Sequence, residues 1–231
     1  MARTRNAAIK QLLTRLGARA GARAVYSLNG AFNYLHVGWW LAAHGFDTRN
    51  RVASRWEIFD RIARDVGGRR TLYLEFGVFE GATLRYWASL LRNPEATLHG
   101  FDSFVGLRHD WSLEGHEKET FSTGGRIPTF DDHRIEIFDG WFEETLPAYE
   151  WPEHDSLVVM LDADFYSSTA LALRYVRDRL VPGSYLYFDE LHHRCDELRA
   201  FAEFVEDNPQ IRLELFCATH ELSEVAFRRV A

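Results

Sequence analysis

From residue 47 onward, short β-type runs alternate with stretches of helical periodicity, and no other feature limits the fold so tightly. The runs fall at 71–76 (TLYLEF), 97–102 (TLHGFD), 134–138 (RIEIF), 156–161 (SLVVML), 184–188 (SYLYF) and 211–217 (IRLELFC). Helical spacing occupies 82–92, 168–180 and 194–207. A further helix carries Trp56, Phe59, Ile62, Ala63 and Val66 on one face, until Gly67-Gly68 ends it. Alternation of this kind predicts an α/β fold: a mostly parallel sheet with helices on both faces. A last run, 222–230, is expected as an edge strand and brings the sheet to seven. The acidic stretch 103–133 lacks periodicity and reads as a lid.

The charge divides the chain in two. Residues 1–46 carry six basic residues and no acid, so that segment is +6 and the remainder is −13 within a net charge of −7. Ile9, Leu12, Leu13 and Leu16 predict an amphipathic helix over 6–20, and a second apolar stretch runs from Val25 to Leu41. We therefore expect a basic helical extension, 1–46, ahead of a catalytic domain, 47–231. Packing on the core or on a second subunit is the favoured role, which makes a homo-oligomer the expectation. A membrane-surface arm, a nucleic-acid arm and an organelle-targeting peptide are the alternatives.

The acidic body has no basic stripe, so nucleic acid is not the expected partner. No run reaches the about 20 apolar residues of a membrane span, so stable insertion is not expected either. Two cysteines, Cys195 and Cys217, make no disulfide framework and point to a reducing, cytoplasmic compartment.

In doubly wound sheets, ligands bind beyond the carboxyl ends of the strands. Here those ends are acidic: Glu75 at the first, Asp102 at the second, Asp139 after the third, Asp162 and Asp164 after the fourth, Asp189-Glu190 after the fifth. Acids are seldom buried without a partner or a metal. The first loop, Glu75-Phe-Gly77-Val-Phe-Glu80-Gly81, departs from the G-x-G-x-x-G spacing that cradles a pyrophosphate. Its two carboxylates would repel phosphate and suit a cationic ligand such as S-adenosylmethionine. Gly77 and Gly81 let the chain pass close to the methionine portion, and Asp102 accepts bonds from ribose hydroxyls.

The blocks EFGVFEGAT (75–83), FDSFVGL (101–107), DGWFEETLP (139–147), LDADFYSST (161–169) and PGSYLYFDE (182–190) resemble the macrocin O-methyltransferase family. That family comprises class I, S-adenosylmethionine-dependent enzymes that methylate sugar hydroxyls of natural products on a Rossmann-like fold. The resemblance covers about residues 70–205. It implies cofactor contacts at Glu75, Gly77, Thr83, Asp102, Ser103, Asp139 and Trp141, and use of a divalent cation, usually magnesium. The chain departs from the family at Ala163, where glycine is frequent, and at Asp189-Glu190, where Asp-Asp is usual.

In that strand order the fourth and fifth strands are neighbours, about 4.8 Å apart. Asp162, Asp189 and Glu190 then converge as oxygen ligands suited to magnesium, with Asp164 a less certain member. The competing reading has Asp164 capping the 168–180 helix and Asp189 serving loop amides. A small-molecule hydroxyl acceptor bound to the ion still needs a base. Catechol-type relatives place a lysine three residues after the first metal aspartate, where this chain has Phe165. His192 and His193 are the candidates, His192 preferred, with Asp162 counted among the catalytic residues. A zinc site from His192, His193 and Cys195 lacks a full ligand set. His109 and His116 of the lid are possible acceptor contacts. A nicotinamide-dependent oxidoreductase and a non-catalytic binding or scaffold protein are the rival readings from other classes.

Overall fold

The computed structural model describes residues 2–109 and 117–231, with side chains from residue 6. The strands are β1 (Arg51–Val52), β2 (Thr71–Phe76), β3 (Thr97–Asp102), β4 (Ile135–Asp139), β5 (Ser156–Leu161), β6 (Tyr185–Phe188), β7 (Leu213–Thr219) and β8 (Val225–Arg229). The helices are α1 (Ala2–Gly17), α2 (Ala22–Ala43), α3 (Arg55–Val66), α4 (Ala82–Leu90), α5 (Phe142–Thr145), α6 (Tyr166–Val176) and α7 (Glu197–Asp207). One eight-stranded sheet runs in the order β1-β7-β8-β6-β5-β2-β3-β4. All pairings are parallel except those of β8. The architecture is the mostly parallel α/β fold expected from the alternation, and it is Rossmann-like, as the resemblance implies.

The central strands explain why their sequences are apolar throughout. Every residue of β2 and β5 is buried, because each has a strand on either side and helices on both faces. Successive side chains feed opposite cores. Leu72, Leu74 and Phe76 join Leu157, Val159 and Leu161 under α2, α6 and α7, whereas Tyr73 joins Val158 and Met160 under α3 and α4. After β2 the chain winds outward through β3 and β4, then returns to place β5 on the other side of β2. That reversal opens a crevice at the carboxyl ends of β2 and β5.

The last run is not an edge strand. β8 lies between β6 and β7 and is antiparallel to both, while the two-residue β1 takes that edge by pairing with β7. The reason is visible in Val225-Ala226-Phe227: three consecutive buried residues need cover on both faces, which an interior position supplies. Other boundaries move by a few residues, and β1 and α5 have too little periodicity to be read in advance.

Residues 25–41 belong to one long helix, α2, with two unlike faces. Val37, Trp40 and Leu41 enter the core, whereas Leu28, Phe32, Leu35 and Trp39 are 60–70% exposed. Their spacing puts the exposed four on the side opposite the core. On α1, Ile9, Leu12, Leu13 and Leu16 are also exposed. Among the described residues, no helix is long and apolar enough to cross a membrane.

Candidate active site

Gly77 marks the point where β2 and β5 part. Its φ is +98°, and an added Cβ would sit 1.7 Å from the carbonyl oxygen of Asp162. No other residue type fits between the two strand ends. The chain that follows is organised by Asp102 at the end of β3. Asp102 Oδ2 accepts from the amides of Val78 and Phe79, at 2.7 and 2.8 Å, and Oδ1 accepts from Phe104 N at 2.8 Å. One carboxylate thereby orders the glycine loop and the first turn of the lid. Phe79 is held at φ +49° in consequence, a region non-glycine residues seldom adopt.

These elements enclose a cavity of about 490 Å³. From the cofactor set, Glu75, Gly77, Thr83, Asp102, Ser103 and Trp141 line it, as do Asp162, Asp189 and Glu190 from the metal set, with Asp164 beside them. Gly81 and Asp139 stand off the wall, and their neighbours Glu80, Ala82 and Gly140 contribute instead. Gly81 is packed against Phe130, whose ring an added Cβ would meet at 2.6 Å. The stretch after β3 contributes Arg108, whose guanidinium lies 4.3 Å from the centre of the Trp141 ring and pairs with Glu143. His109 packs its ring 4.3 Å from that of Phe165, and His116 lies outside the described residues.

The carboxylates in this cavity are buried and close together, and burial first, then mutual repulsion, raises their pKa values. Burial pushes Glu75 up to about 8, against a 2.6 Å hydrogen bond from the Tyr73 hydroxyl that favours its ionised form. Burial, then the charges of Asp189 and Asp164, raises Asp162 well above the usual carboxylate range. Burial and the neighbouring Glu190 and Asp189 push Asp164 up to about 7. Asp164 does not cap the following helix: Tyr166 N bonds to Asp196 Oδ1 at 3.2 Å, while Asp164 itself sits at φ +58°. Among the described residues, Asp189 serves no loop amide. Its Oδ1 accepts from the Tyr187 hydroxyl at 2.8 Å and lies 3.0 Å from Arg55 Nη1.

A crowd of mutually repelling carboxylates is a setting in which a divalent cation inverts the local charge balance. Oxygen donors alone, with room for water, match magnesium by type. By donor and charge the residues fit the ion. Among the described residues, however, no three acids, histidines or cysteines stand together in coordinating positions, and Arg55 holds the Asp189 carboxylate. Ligation would require that side chain to turn from the guanidinium.

His192 and His193 lie behind the cavity wall rather than on it. His192 is stacked on Tyr34 of α2, with ring centres 4.7 Å apart, and burial lowers its pKa to about 4. His193 turns Nδ1 towards Glu190 Oε2 at 3.0 Å. Cys195 is exposed and Cys217 buried, both as free thiols. Three participants escaped the sequence reading. Arg55 opens α3 well before the first strand-end block, Glu197 accepts from Glu190 N at 2.9 Å, and Tyr34 lies on α2. None carries a spacing signal that ties it to the strand ends.

The family description macrocin-O-methyltransferase (TylF) matches residues 36–217, most of the chain. A Streptomyces olivaceus protein, 8-demethyl-8-(2,3-dimethoxy-alpha-L-rhamnosyl)-tetracenomycin-C 4'-O-methyltransferase, is 37% identical over 137 residues. The match covers 51% of this chain and 51% of that protein, so the chain spans about half the length of the curated relative. Among solved structures, the O-methyltransferase NovP superimposes with a TM-score of 0.60 at 20% identity, over 77% of this chain and 80% of that one. An O-methyltransferase from Bacillus cereus in complex with SAH gives 0.51 at 12% identity, over 86% and 90%. At those identities the structural likeness concerns the fold. With the family match over most of its length, the chain belongs to the macrocin-O-methyltransferase (TylF) family of O-methyltransferases.

Proposed function

We propose that the protein moves the methyl group of S-adenosylmethionine to a hydroxyl of a sugar or related natural-product acceptor, with magnesium held by Asp162, Asp189 and Glu190. The observation that carries this reading is the single cavity in which the ordered glycine loop and the crowded carboxylates face each other. The rhamnosyl acceptor in the relative's name supports the sugar class, and a related fold described as a Mg-SAM form of CmcI supports the ion.

On the cofactor side, Glu75 offers its carboxylate to the cationic methionine portion, which would favour the ionised form. Gly77 gives close backbone approach, and Gly81 sets the turn that follows. Asp102 retains lone pairs for ribose hydroxyls beside the amides it already accepts. Thr83, Ser103, Asp139 and Trp141 complete the contacts.

On the acceptor side, the ion would supply Lewis acidity that lowers a hydroxyl pKa. Asp162, Asp189 and Glu190 orient the acceptor oxygen, and Leu107 and Phe165 of the wall exclude water. The proton is taken by the histidine pair behind Glu190. His193 is favoured over His192, because its Nδ1 faces the carboxylate that reaches the cavity whereas His192 is covered by Tyr34. A second reading gives the proton to Asp164, a cavity carboxyl whose pKa of about 7 suits a base near neutrality.

The basic extension, 1–46, serves assembly: a second copy covers Leu28, Phe32, Leu35 and Trp39, and the compartment is the cytoplasm. Calorimetry with S-adenosylmethionine, S-adenosylhomocysteine and NAD tests the cofactor. Binding of the first two and not the third is expected, and binding of NAD alone would overturn the reading. His193→Ala is expected to depress the rate about 10²–10⁴-fold while sparing cofactor affinity. If Asp164→Asn alone reproduces that defect, the base is Asp164.

A further inference from the structure

The segment after β6 carries Asp189 and Glu190 to the cavity, then turns away, and there α2 meets it from outside. The Tyr34 ring lies flat on His192, with centres 4.7 Å apart and planes 9° from parallel. The His192 ring is 4.1 Å from that of His193, and His193 Nδ1 is 3.0 Å from Glu190 Oε2. One residue earlier on α2, Asn33 Oδ1 accepts from Arg194 Nη1 at 2.5 Å, and the Asn29 carbonyl accepts from the same nitrogen at 3.3 Å. Asn33 is 3% exposed on a helix face that is otherwise apolar. A buried amide is costly unless paired, so its presence calls for the Arg194 contact. Tyr34 Oη also lies 3.4 Å from Ser223 Oγ, and the Ser223 carbonyl accepts from Leu191 N at 2.9 Å.

We propose that α2 is a positioning element for the acceptor end of the cavity, with Tyr34 and Asn33 as its positioning residues. Tyr34 acts through His192 and His193 on Glu190, and Asn33 acts through Arg194 on the same turn. The assignment rests on Glu190 belonging to the acceptor end. Residues 189–196 include no strand or helix apart from the N-cap of α7; beyond Asp189, whose N bonds to the Leu161 carbonyl, isolated hydrogen bonds rather than a sheet ladder hold them. Glu190 also stands near Asp162, Asp164 and Asp189, whose charges repel it. Glu197 holds its backbone N, and its side chain is braced from behind, where a stacked aromatic ring with few rotatable bonds serves at little entropic cost. Neither α2 residue touches the cavity, so loosening them spares the cofactor end, which is built from β2, β3 and the glycine loop.

The test compares Tyr34→Ala, Tyr34→Phe and Arg194→Ala in the full chain. Tyr34 is 42% exposed, so its removal leaves the core intact. Amide hydrogen exchange should quicken in residues 189–196 of Tyr34→Ala and Arg194→Ala, with β3 unchanged, and Tyr34→Phe should match the parent because it keeps the stacked ring. Calorimetric affinity for S-adenosylmethionine should stay within about twofold. Turnover on a rhamnoside panel should fall about tenfold with KM for S-adenosylmethionine unmoved, the scale expected when a site's supporting contacts are cut. Parental exchange over 189–196 in Tyr34→Ala would overturn the brace whatever the activity. Faster exchange with full turnover would overturn its positioning role. If the parent protein methylates nothing in the panel, the functional reading fails, and with it the role, even where exchange still reports the mechanical contact.

Discussion

At Asp102 both carboxylate oxygens are engaged by backbone amides, so the residue shapes the cofactor loop before any ligand arrives. Asp102→Asn keeps the shape but loses the charge-assisted acceptor, and should weaken S-adenosylmethionine binding by about 1.5–3 kcal/mol, read by calorimetry. Unchanged affinity in a folded variant would remove Asp102 from the cofactor site. Glu75, Asp102, Asp162 and Asp189 were legible from the sequence because each stands at or just after the end of a recognisable strand, and strand ends converge in this fold class. Arg55 and Tyr34 were not. Their contacts with Asp189 and His192 depend on how α3 and α2 pack across the sheet, which no local spacing encodes. The histidine pair illustrates the same limit. His192 and His193 stand two and three residues after Glu190, yet the turn after β6 stacks His192 on Tyr34 of α2 and leaves only His193 facing the Glu190 carboxylate.

The junction of β2 and β5 sets the second scale. Gly77→Ala should cost about 3 kcal/mol or more in urea unfolding, because the added methyl meets backbone of the neighbouring strand end. Gly68→Ala, where nothing lies within 4 Å, is the control and should be neutral or stabilising by up to about 1 kcal/mol. Equal effects would mean that the strand ends can spread. β3 carries a pH dependence of its own. His99 is buried, hydrogen-bonded to the Tyr149 hydroxyl at 2.7 Å, and burial lowers its pKa to about 4. The unfolded chain protonates this ring first, near its ordinary value of 6.5. Stability from neutral His99 is therefore complete above about 6.5 and is lost as pH falls towards 4, by up to about 3 kcal/mol. His99→Gln should flatten the stability curve across that window relative to the parent protein, and parallel curves would deny the assignment. Central strands were read well because burial on both faces makes their sequences continuously apolar. β8 was misplaced because its apolar triplet is too short to announce two-sided burial against Arg228 and Arg229.

Over the whole molecule, the basic extension and acidic body are complementary, and the exposed side of α2 is too apolar to be a natural water-facing surface. Light scattering should report a dimer or larger species for the intact chain. Leu35→Glu with Trp39→Glu should reduce it to the mass of one chain; binding to anionic vesicles with no change in mass would favour a membrane surface instead. Charge and helical spacing suggested an extension ending at residue 46, whereas α2 enters the core through Val37, Trp40 and Leu41, contacts that depend on the assembled sheet. In the proposed reaction, one cavity brings a methyl donor and a cation-held sugar hydroxyl together. Mass spectrometry of a glycoside and catechol panel, incubated with S-adenosylmethionine and magnesium or with EDTA, tests it directly. One added methyl group on a sugar hydroxyl is expected with magnesium, and none in EDTA or with Asp162→Asn. Full transfer in EDTA, or transfer confined to catechols, would contradict it.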